Sequence, residues 1–261
     1  MSKQLVRQHL ILDTLRTKGK LTLQECQELL NISISSVRRL LIQMEEEGMI
    51  LRTHNGILPN KKNNSKDYLD PSSISHLAEK QSIAACAAEL VEENDSIFID
   101  CGSTSVQFAV MLKNRLVNNW LKKVHVLTCS LTIMHLLDGI CDLTLVGGTY
   151  RPASNDFAGY TTETFLNHFH FNKSFLGCDA INLKQGVMTT TAESARNVEL
   201  VLHHSTSCYI LSDSSKFDTL SFIRYASNDN VHIKAVITDS GISSAVLDRY
   251  TAAGWNIMIA M

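Results

Sequence analysis

The chain has 261 residues, 44% hydrophobic and 19% charged, ordinary for a soluble globular protein with one large domain or two unequal ones. Its formal net charge of −2 hides an asymmetry: residues 1–66 hold 11 Lys+Arg against 6 Asp+Glu (+5), and residues 67–261 hold 13 against 20 (−7). Seven scattered cysteines without a CxxC pair speak against a disulfide framework or zinc ribbon; no signal-type segment or run of about 18 apolar residues is present, so a cytoplasmic protein without membrane partners is expected.

The first predicted element is a helix carrying Leu5, Leu10, Ile11, Leu12 and Leu15 and stopping at Lys18-Gly19, where glycine ends helices well. Thr22 can cap a second, short helix that buries Leu23, Cys26, Leu29 and Leu30. Asn31-Ile32-Ser33 reads as a tight turn, with Ser33 as N-cap of a third helix whose Ile34, Val37, Leu41 and Met44 recur on one face. Ser35, Ser36, Arg38, Arg39 and Gln43 are left outward or flanking. A short helix, a tight turn and a helix opening with hydroxyls and arginines match the element that enters the DNA major groove. There the helix N-terminus favours a phosphate, and an arginine can grip guanine with two hydrogen bonds. After Gly48, two short strands around Asn55-Gly56 read as a hairpin wing. Ser33, Ser35, Ser36, Arg38, Arg39, Arg52 and His54 are therefore the candidate DNA-binding residues. An arginine pair alone is more often a solvated helix face, here balanced by Glu45, Glu46 and Glu47. The ordered combination of turn, capped helix, arginines and hairpin within 60 residues carries the DNA reading.

Residues 1–58 are thus expected to form a winged helix-turn-helix domain. Residues 59–73 are polar, basic and suited to a linker, and residues 74–261 form an effector-binding and oligomerisation domain. That domain opens with a helical pattern from Ile74 to Glu93. Short apolar runs follow at 97–99, 124–127, 143–146, 175–176, 209–211, 235–237 and 257–259. Helical patterns lie near 105–116, 131–137, 161–168, 193–204 and 243–253, and such alternation predicts an α/β domain with a mainly parallel sheet.

The strand ends are rich in small, hydroxyl and acidic residues. They are Asp100 with Gly102, Ser103, Thr104 and Ser105; Thr128 and Ser130; Gly147 and Gly148; Asp179 after Gly177-Cys178; Asp213 through Lys216; and Thr238 through Gly241. In a parallel sheet these ends share one edge, where ligands bind. Glycines and helix N-termini suit an anion, with Arg151 and Lys216 as further donors, and carboxylates suit sugar hydroxyls. A phosphorylated sugar therefore fits this edge better than bare phosphate. Singly, each loop is an ordinary βα turn.

Taken in order, these residues resemble the DeoR family of bacterial transcriptional regulators across essentially the whole chain. The resemblance rests on Ser36-Val37-Arg38-Arg39 with Gly48 and Arg52-Thr53-His54, on Glu79-Lys80, and on Ile97 through Thr104. It continues through Gly147-Gly148-Thr149-Tyr150-Arg151, Phe157-Ala158-Gly159, Asp213 through Phe217 and Val236 through Asp239. It implies a sensor domain related in fold to ribose-5-phosphate isomerase, with Glu193 added to the effector residues. It also implies a homo-oligomer, dimer or tetramer, on double-stranded operator DNA, and repression of a carbohydrate operon relieved by a phosphorylated sugar. Leu40 stands where the family commonly has Asp, and Asn197 where a lysine is expected after Glu193.

The main rival is an isomerase-like enzyme using Asp100, Asp213, Glu193 and Lys216 in enediol chemistry. The sixty-residue DNA module, which an isomerase would not use, argues against it, so no catalytic residue is assigned. A metal-sensing role for His168, His170, His203 and His204 is weak, because adjacent His203 and His204 cannot share one ligand from a helix. Cys129 and Cys178 have no paired histidine at a readable spacing and read as packing residues. No metal or cofactor is expected.

Overall fold

The computed structural model describes residues 3–46, 49–53, 56–59 and 74–260. The chain divides into two compact units, Met1–Ser65 and Lys66–Met261. Gly48, His54, Asn55 and residues 60–73 of the expected linker lie outside the described residues.

The first unit runs α1 (Lys3–Lys18), β1 (Leu21–Thr22), α2 (Leu23–Leu30), α3 (Ile34–Glu46), β2 (Ile50–Thr53) and β3 (Gly56–Pro59). Gly19, at φ +73°, follows α1 directly and takes the left-handed backbone that closes a helix. Thr22 starts α2 through a complete capping box: its hydroxyl accepts from Glu25 N, and Glu25 returns a bond to Thr22 N. Asn31, left-handed at φ 49°, ends α2, and three residues later α3 begins. Strand order is β1-β3-β2, antiparallel throughout. Gly56 makes this sheet possible, since a Cβ there would lie 2.0 Å from the Leu21 carbonyl oxygen. Ile11, Leu15, Leu21, Cys26, Val37, Leu41, Met44, Ile50 and Ile57 form the core. Each large aliphatic side chain among them contributes roughly 1.5–3 kcal/mol by leaving water. Leu40, the residue after the arginine pair, is also buried in this core.

In the second unit, α4 (Leu77–Glu89) precedes a seven-stranded sheet. Its strands are β4 (Ser96–Ile99), β5 (His125–Thr128), β6 (Asp142–Leu145), β9 (Phe171–Gly177), β12 (Ser205–Leu211), β14 (Ile233–Asp239) and β15 (Ile257–Ala260). These correspond to the seven apolar runs of the sequence. The order is β15-β14-β12-β9-β4-β5-β6 and every pairing is parallel. Both faces are buried, as a parallel sheet requires. Ile97, Ile99, Val126, Phe175 and Ile237 pack with α4, α5 (Ser103–Val117) and α6 (Leu131–Leu137). Phe98, Leu127, Leu176, Ile210 and Val236 pack into the other cluster, with α8 (Ala192–His203) and Tyr250 of α9 (Ser244–Ala252).

Two small antiparallel sheets, absent from the expectation, sit beside this layer. One is the hairpin of β7 (Thr149–Arg151) and β8 (Asp156–Ala158), followed by the short α7 (Tyr160–Leu166). The other joins β10 (Ala180–Asn182), β11 (Gly186–Thr189) and β13 (Ile223–Ala226). The strand order sets where a ligand can enter. From β4 the chain moves outward through β5 and β6, then returns to β9 on the other side of β4. Connections leaving β4 and β9 therefore diverge, and their C-terminal ends flank a crevice at a topological switch point. Among the described residues no helix is long and apolar enough to cross a membrane.

Candidate functional site

In the first unit α3 presents Ser33, Ser35, Ser36, Arg38 and Arg39 to solvent, while Val37, Leu40, Leu41 and Met44 point inward. The hydroxyls cluster at the start of the helix: Ser33 Oγ lies 3.0 Å from Ser35 Oγ and 2.9 Å from Ser36 Oγ, and accepts from Ser36 N at 3.3 Å. Ser33 thus acts as the cap that the sequence suggests. Arg52 on the wing is tied back to α3, its N–H and guanidinium both bonded to Glu45. Among the described residues no ion pair holds Arg38 or Arg39, so their charge is open to a partner. His54 lies outside the described residues.

The second unit contains a cavity of about 550 Å³ at the ends of β4 and β9. From the β4 end come Asp100, Cys101 and Gly102, continuing into Ser103, Thr104 and Ser105 on the first turn of α5. Gly102 precedes α5 without a side-chain cap, so the first N–H groups of that helix keep no cap acceptor. From the β9 end come Gly177, Cys178 and Asp179, and from the β12 end Ser212, Asp213 and Lys216. Asp239 at the end of β14 takes no place in the wall. It accepts from Ser214 N at 2.7 Å and Ser214 Oγ at 2.9 Å, and so fixes the turn bearing Asp213 and Lys216.

Nine of the fourteen expected effector residues meet here: Asp100, Gly102, Ser103, Thr104, Ser105, Arg151, Asp179, Asp213 and Lys216. Five lie off the wall. Thr128 and Ser130 end β5, where the Thr128 hydroxyl accepts from Ser130 N and Ser130 caps α6. Gly147 and Gly148 are exposed beside α7: Thr162 Oγ1 donates to Gly147 O, and a Cβ on Gly148 would lie 2.0 Å from that hydroxyl. Glu193, in the first turn of α8, is exposed.

Arg151 is largely committed inside the protein. Its Nε and Nη2 donate to the two Asp156 oxygens at 2.8 and 2.6 Å, and its Nη1 to Thr191 Oγ1 and Ser194 Oγ at 3.2 and 3.1 Å. It thereby ties the β7–β8 hairpin to the start of α8. Asp156, Thr189, Thr190, Thr191, Ser194, Asn197 and Tyr225 also line the wall and escape the strand-end pattern. The polar run Thr189-Thr190-Thr191 leading to Ser194 was the available signal, a helix start following an apolar strand. Lys80, part of the Glu79-Lys80 motif, also reaches the wall. It is 6% exposed, and its Nζ donates to Ser75 O at 2.6 Å.

Electrostatics separate the groups further. Burial pushes the Asp100 carboxyl up to about 7, helped by repulsion from Asp156 and Asp179 and opposed by the Gly177 and Cys101 N–H groups. Asp179 accepts from Thr189 Oγ1 and Thr190 N, and Asp213 from the Ser215 N–H and hydroxyl. Burial also raises the three thiols at the cavity, Cys178 to about 12 and Cys101 and Cys129 well above the ordinary thiol range. They stay protonated and are poor nucleophiles. Among the described residues no three His, Cys, Asp or Glu side chains gather to hold a metal. His170 and His204 instead bond Thr206 and Asn167.

Comparison with known proteins bears on both units. Residues 7–63 match the DeoR-like helix-turn-helix domain, and residues 75–240 the DeoR C terminal sensor domain. The lactose phosphotransferase system repressor of Lactococcus lactis subsp. lactis is 32% identical over 245 residues, covering 92% of this chain and 93% of that protein. The L-fucose operon activator of Haemophilus influenzae is 26% identical over 239 residues, covering 90% and 92%. Among solved structures, ribose 5-phosphate isomerase A from Methanocaldococcus jannaschii overlaps 55% of each chain with a TM-score of 0.42 and 19% identity. The sensor-domain match spans well over half of the chain, which therefore belongs to the DeoR family: it is a DNA-binding transcriptional regulator with an N-terminal helix-turn-helix domain and a C-terminal sensor domain.

Proposed function

We propose that this regulator represses a carbohydrate-utilisation operon and is released from its operator by a phosphorylated sugar bound at the ends of β4 and β9. The observation that carries the reading is the mixed chemistry of the cavity wall. Uncapped helix N–H groups at Ser103 to Ser105 and the Lys216 ammonium suit a phosphate, while Asp100, Asp179 and Asp213 suit hydroxyls. A nonpolar ligand would leave these groups unsatisfied. The Lactococcus relative, named as a repressor in a sugar phosphotransferase system, supports both the sign of control and the ligand class.

At the operator, α3 enters the major groove with Ser33, Ser35, Ser36, Arg38 and Arg39, and the wing adds Arg52 and His54. The protein works as a homo-oligomer, so that two recognition helices engage successive half-sites. The sugar phosphate acts only through a difference in its affinity for the DNA-competent and DNA-incompetent arrangements.

Operator binding by the full-length protein, titrated with pentose and hexose phosphates, tests the proposal, alongside melting in the same solutions. A ligand at 100 times its Kd adds about 2.7 kcal/mol to stability, or roughly 5–10 °C in a domain of this size. The expected result is one sugar phosphate that raises the melting temperature and weakens operator binding. Operator affinity unchanged under a saturating, stabilising sugar phosphate would refute the release mechanism.

A further inference from the structure

Among the described residues four buried side-chain polar atoms lack a hydrogen-bond partner: Ser105 Oγ, Asn197 Oδ1, Thr238 Oγ1 and Trp255 Nε1. Two of the four, Ser105 and Asn197, belong to the cavity wall. Their residues are 0% and 7% exposed. Native proteins retain few such orphans, because each costs the folded state free energy. Two in one cavity fit a site built to be completed by a ligand.

The two orphans differ in what they accept. Asn197 Nδ2 donates to the Phe157 carbonyl at 3.2 Å. Turning the amide over would set two carbonyl oxygens against each other, so the free atom is Oδ1, which can only accept. Whatever meets it must carry an O–H or N–H. A phosphate, carboxylate or ketone oxygen there would confront its lone pairs, and the neighbouring hairpin already brings the Asp156 carboxylate to this wall. Ser105 Oγ can donate or accept. It stands 3.8 Å from the point a Cβ on Gly177 would occupy, with Asp100 Oδ2 3.5 Å from the same point. Gly177, without a side chain, lets both groups gather beside the uncapped start of α5, where Asp100 Oδ2 accepts from Gly177 N at 3.0 Å.

The geometry points to Asn197 as a specificity-determining residue: it accepts a hydrogen bond from one hydroxyl or amino group of the effector and keeps the phosphate away from α8. This inference rests on the sugar-phosphate reading given above. It adds a direction for the bound sugar, with a donor-bearing carbon toward α8 and the phosphate elsewhere along the cavity. It also selects between otherwise similar sugars, since an epimer that turns its hydroxyl away from Oδ1 leaves that atom unpaired.

The test uses the full-length protein, calorimetry and thermal melting, with a panel of pentose 5-phosphates, hexose 6-phosphates and hexosamine 6-phosphates. The panel member that binds tightest is then compared with its mono-deoxy analogues on wild type and Asn197→Leu. In wild type one deoxy position is expected to lose roughly tenfold in affinity. In Asn197→Leu the parent sugar phosphate loses about the same factor, and the penalty for that one deoxy position disappears. Binding of that one deoxy analogue by Asn197→Leu at its wild-type affinity guards against a folding defect in the leucine variant. Equal deoxy penalties in wild type and Asn197→Leu would overturn the assignment. If no sugar phosphate binds but a neutral polyol does, with its discrimination lost in Asn197→Leu, Asn197 keeps its role and the sugar-phosphate reading fails. Absence of binding by every hydroxylated probe overturns both.

Discussion

Arg151 offers the sharpest test of how the cavity is built, because the sequence assigns its charge to the effector while the structure binds it to Asp156. The Asp156 side chain is 2% exposed and that of Arg151 20%. Both carboxylate oxygens take bonds from the guanidinium, and Ser154 Oγ adds another at 2.6 Å. Removing one partner of a buried ion pair costs about 3–5 kcal/mol, since the other charge is left uncompensated. Partial exposure of Arg151 places the expected loss for Arg151→Met near the lower figure, ~3 kcal/mol. In a domain of this size that is a fall of roughly 6–12 °C in melting temperature.

A double-mutant cycle separates this brace from a ligand contact. Asp156→Asn removes the charge that Arg151 compensates, so the combined variant should recover part of the loss, with a coupling of about 1–3 kcal/mol. The assay is thermal or urea unfolding of the four proteins without effector. Arg151→Met melting within about 1 °C of wild type, with the response to a sugar phosphate abolished, would refute the argument. Arg151 would then hold the anion directly.

Three further outcomes are expected. Arg38→Ala and Arg39→Ala should each weaken operator binding: a base-reading arginine loses about 1–3 kcal/mol together with selectivity, and a phosphate-contacting one lowers the salt slope by about one. Wild-type titrations for both would remove α3 from the interface. Gly56→Ala should unfold or severely destabilise the first unit, because its Cβ would meet the Leu21 carbonyl at 2.0 Å; circular dichroism and loss of operator binding report it. For Asp100, whose carboxyl moves from 3.8 up to about 7 on folding, the folded state holds the proton more tightly than the unfolded chain. Stability should therefore fall as pH rises from about 4 to about 7 and level off above, by at most ~4 kcal/mol. Asp100→Asn should flatten that part of the profile, and an unchanged slope would show that another group carries it.

The elements that the sequence reveals are those whose pattern is repeated by burial. Five of the seven apolar runs lie in strands covered on both faces, the edge strands β6 and β15 being only partly buried, and the period of Val37, Leu41 and Met44 is that of a helix with one buried face. The β7–β8 hairpin and strand β10 escape because three residues carry too little alternation to stand out. Distance from the switch point removes the glycines after β6 from the candidate site, whereas Thr128 and Ser130, at the neighbouring β5 end, are taken up by the turn and cap that start α6. Neighbouring strands lie about 4.8 Å apart, so the end of β6, two strands from β4, is about 10 Å away, and Gly147 bonds Thr162 of α7 instead. Asn197 is unreadable for another reason. Position in a helix shows which residues share a face, whereas an unpaired amide oxygen becomes visible only when Phe157 O is in place. Leu40, conspicuous as a departure from the family, proves to be a core side chain, and the exposed face of α3 is formed without it.

The same geometry bears on the rival isomerase-like reading. Enediol chemistry needs a carboxylate base within about 2.6–3.2 Å of the proton it removes. Glu193, one of the three carboxylates named from sequence for that chemistry, is exposed and takes no place in the cavity wall. Among the carboxylates at the wall, Asp156 is held by Arg151, Asp179 by Thr189 and Thr190, and Asp213 by Ser215. Asp100, pushed up to about 7, remains as the group whose proton affinity suits a base at neutral pH. The regulator reading expects it to accept hydroxyls without transferring their protons. Prolonged incubation of each stabilising sugar phosphate with the protein in deuterium oxide distinguishes the two, because reversible enolisation would introduce deuterium beside the carbonyl even without net product. No incorporation is expected; incorporation that disappears in Asp100→Asn would establish that the sensor also catalyses.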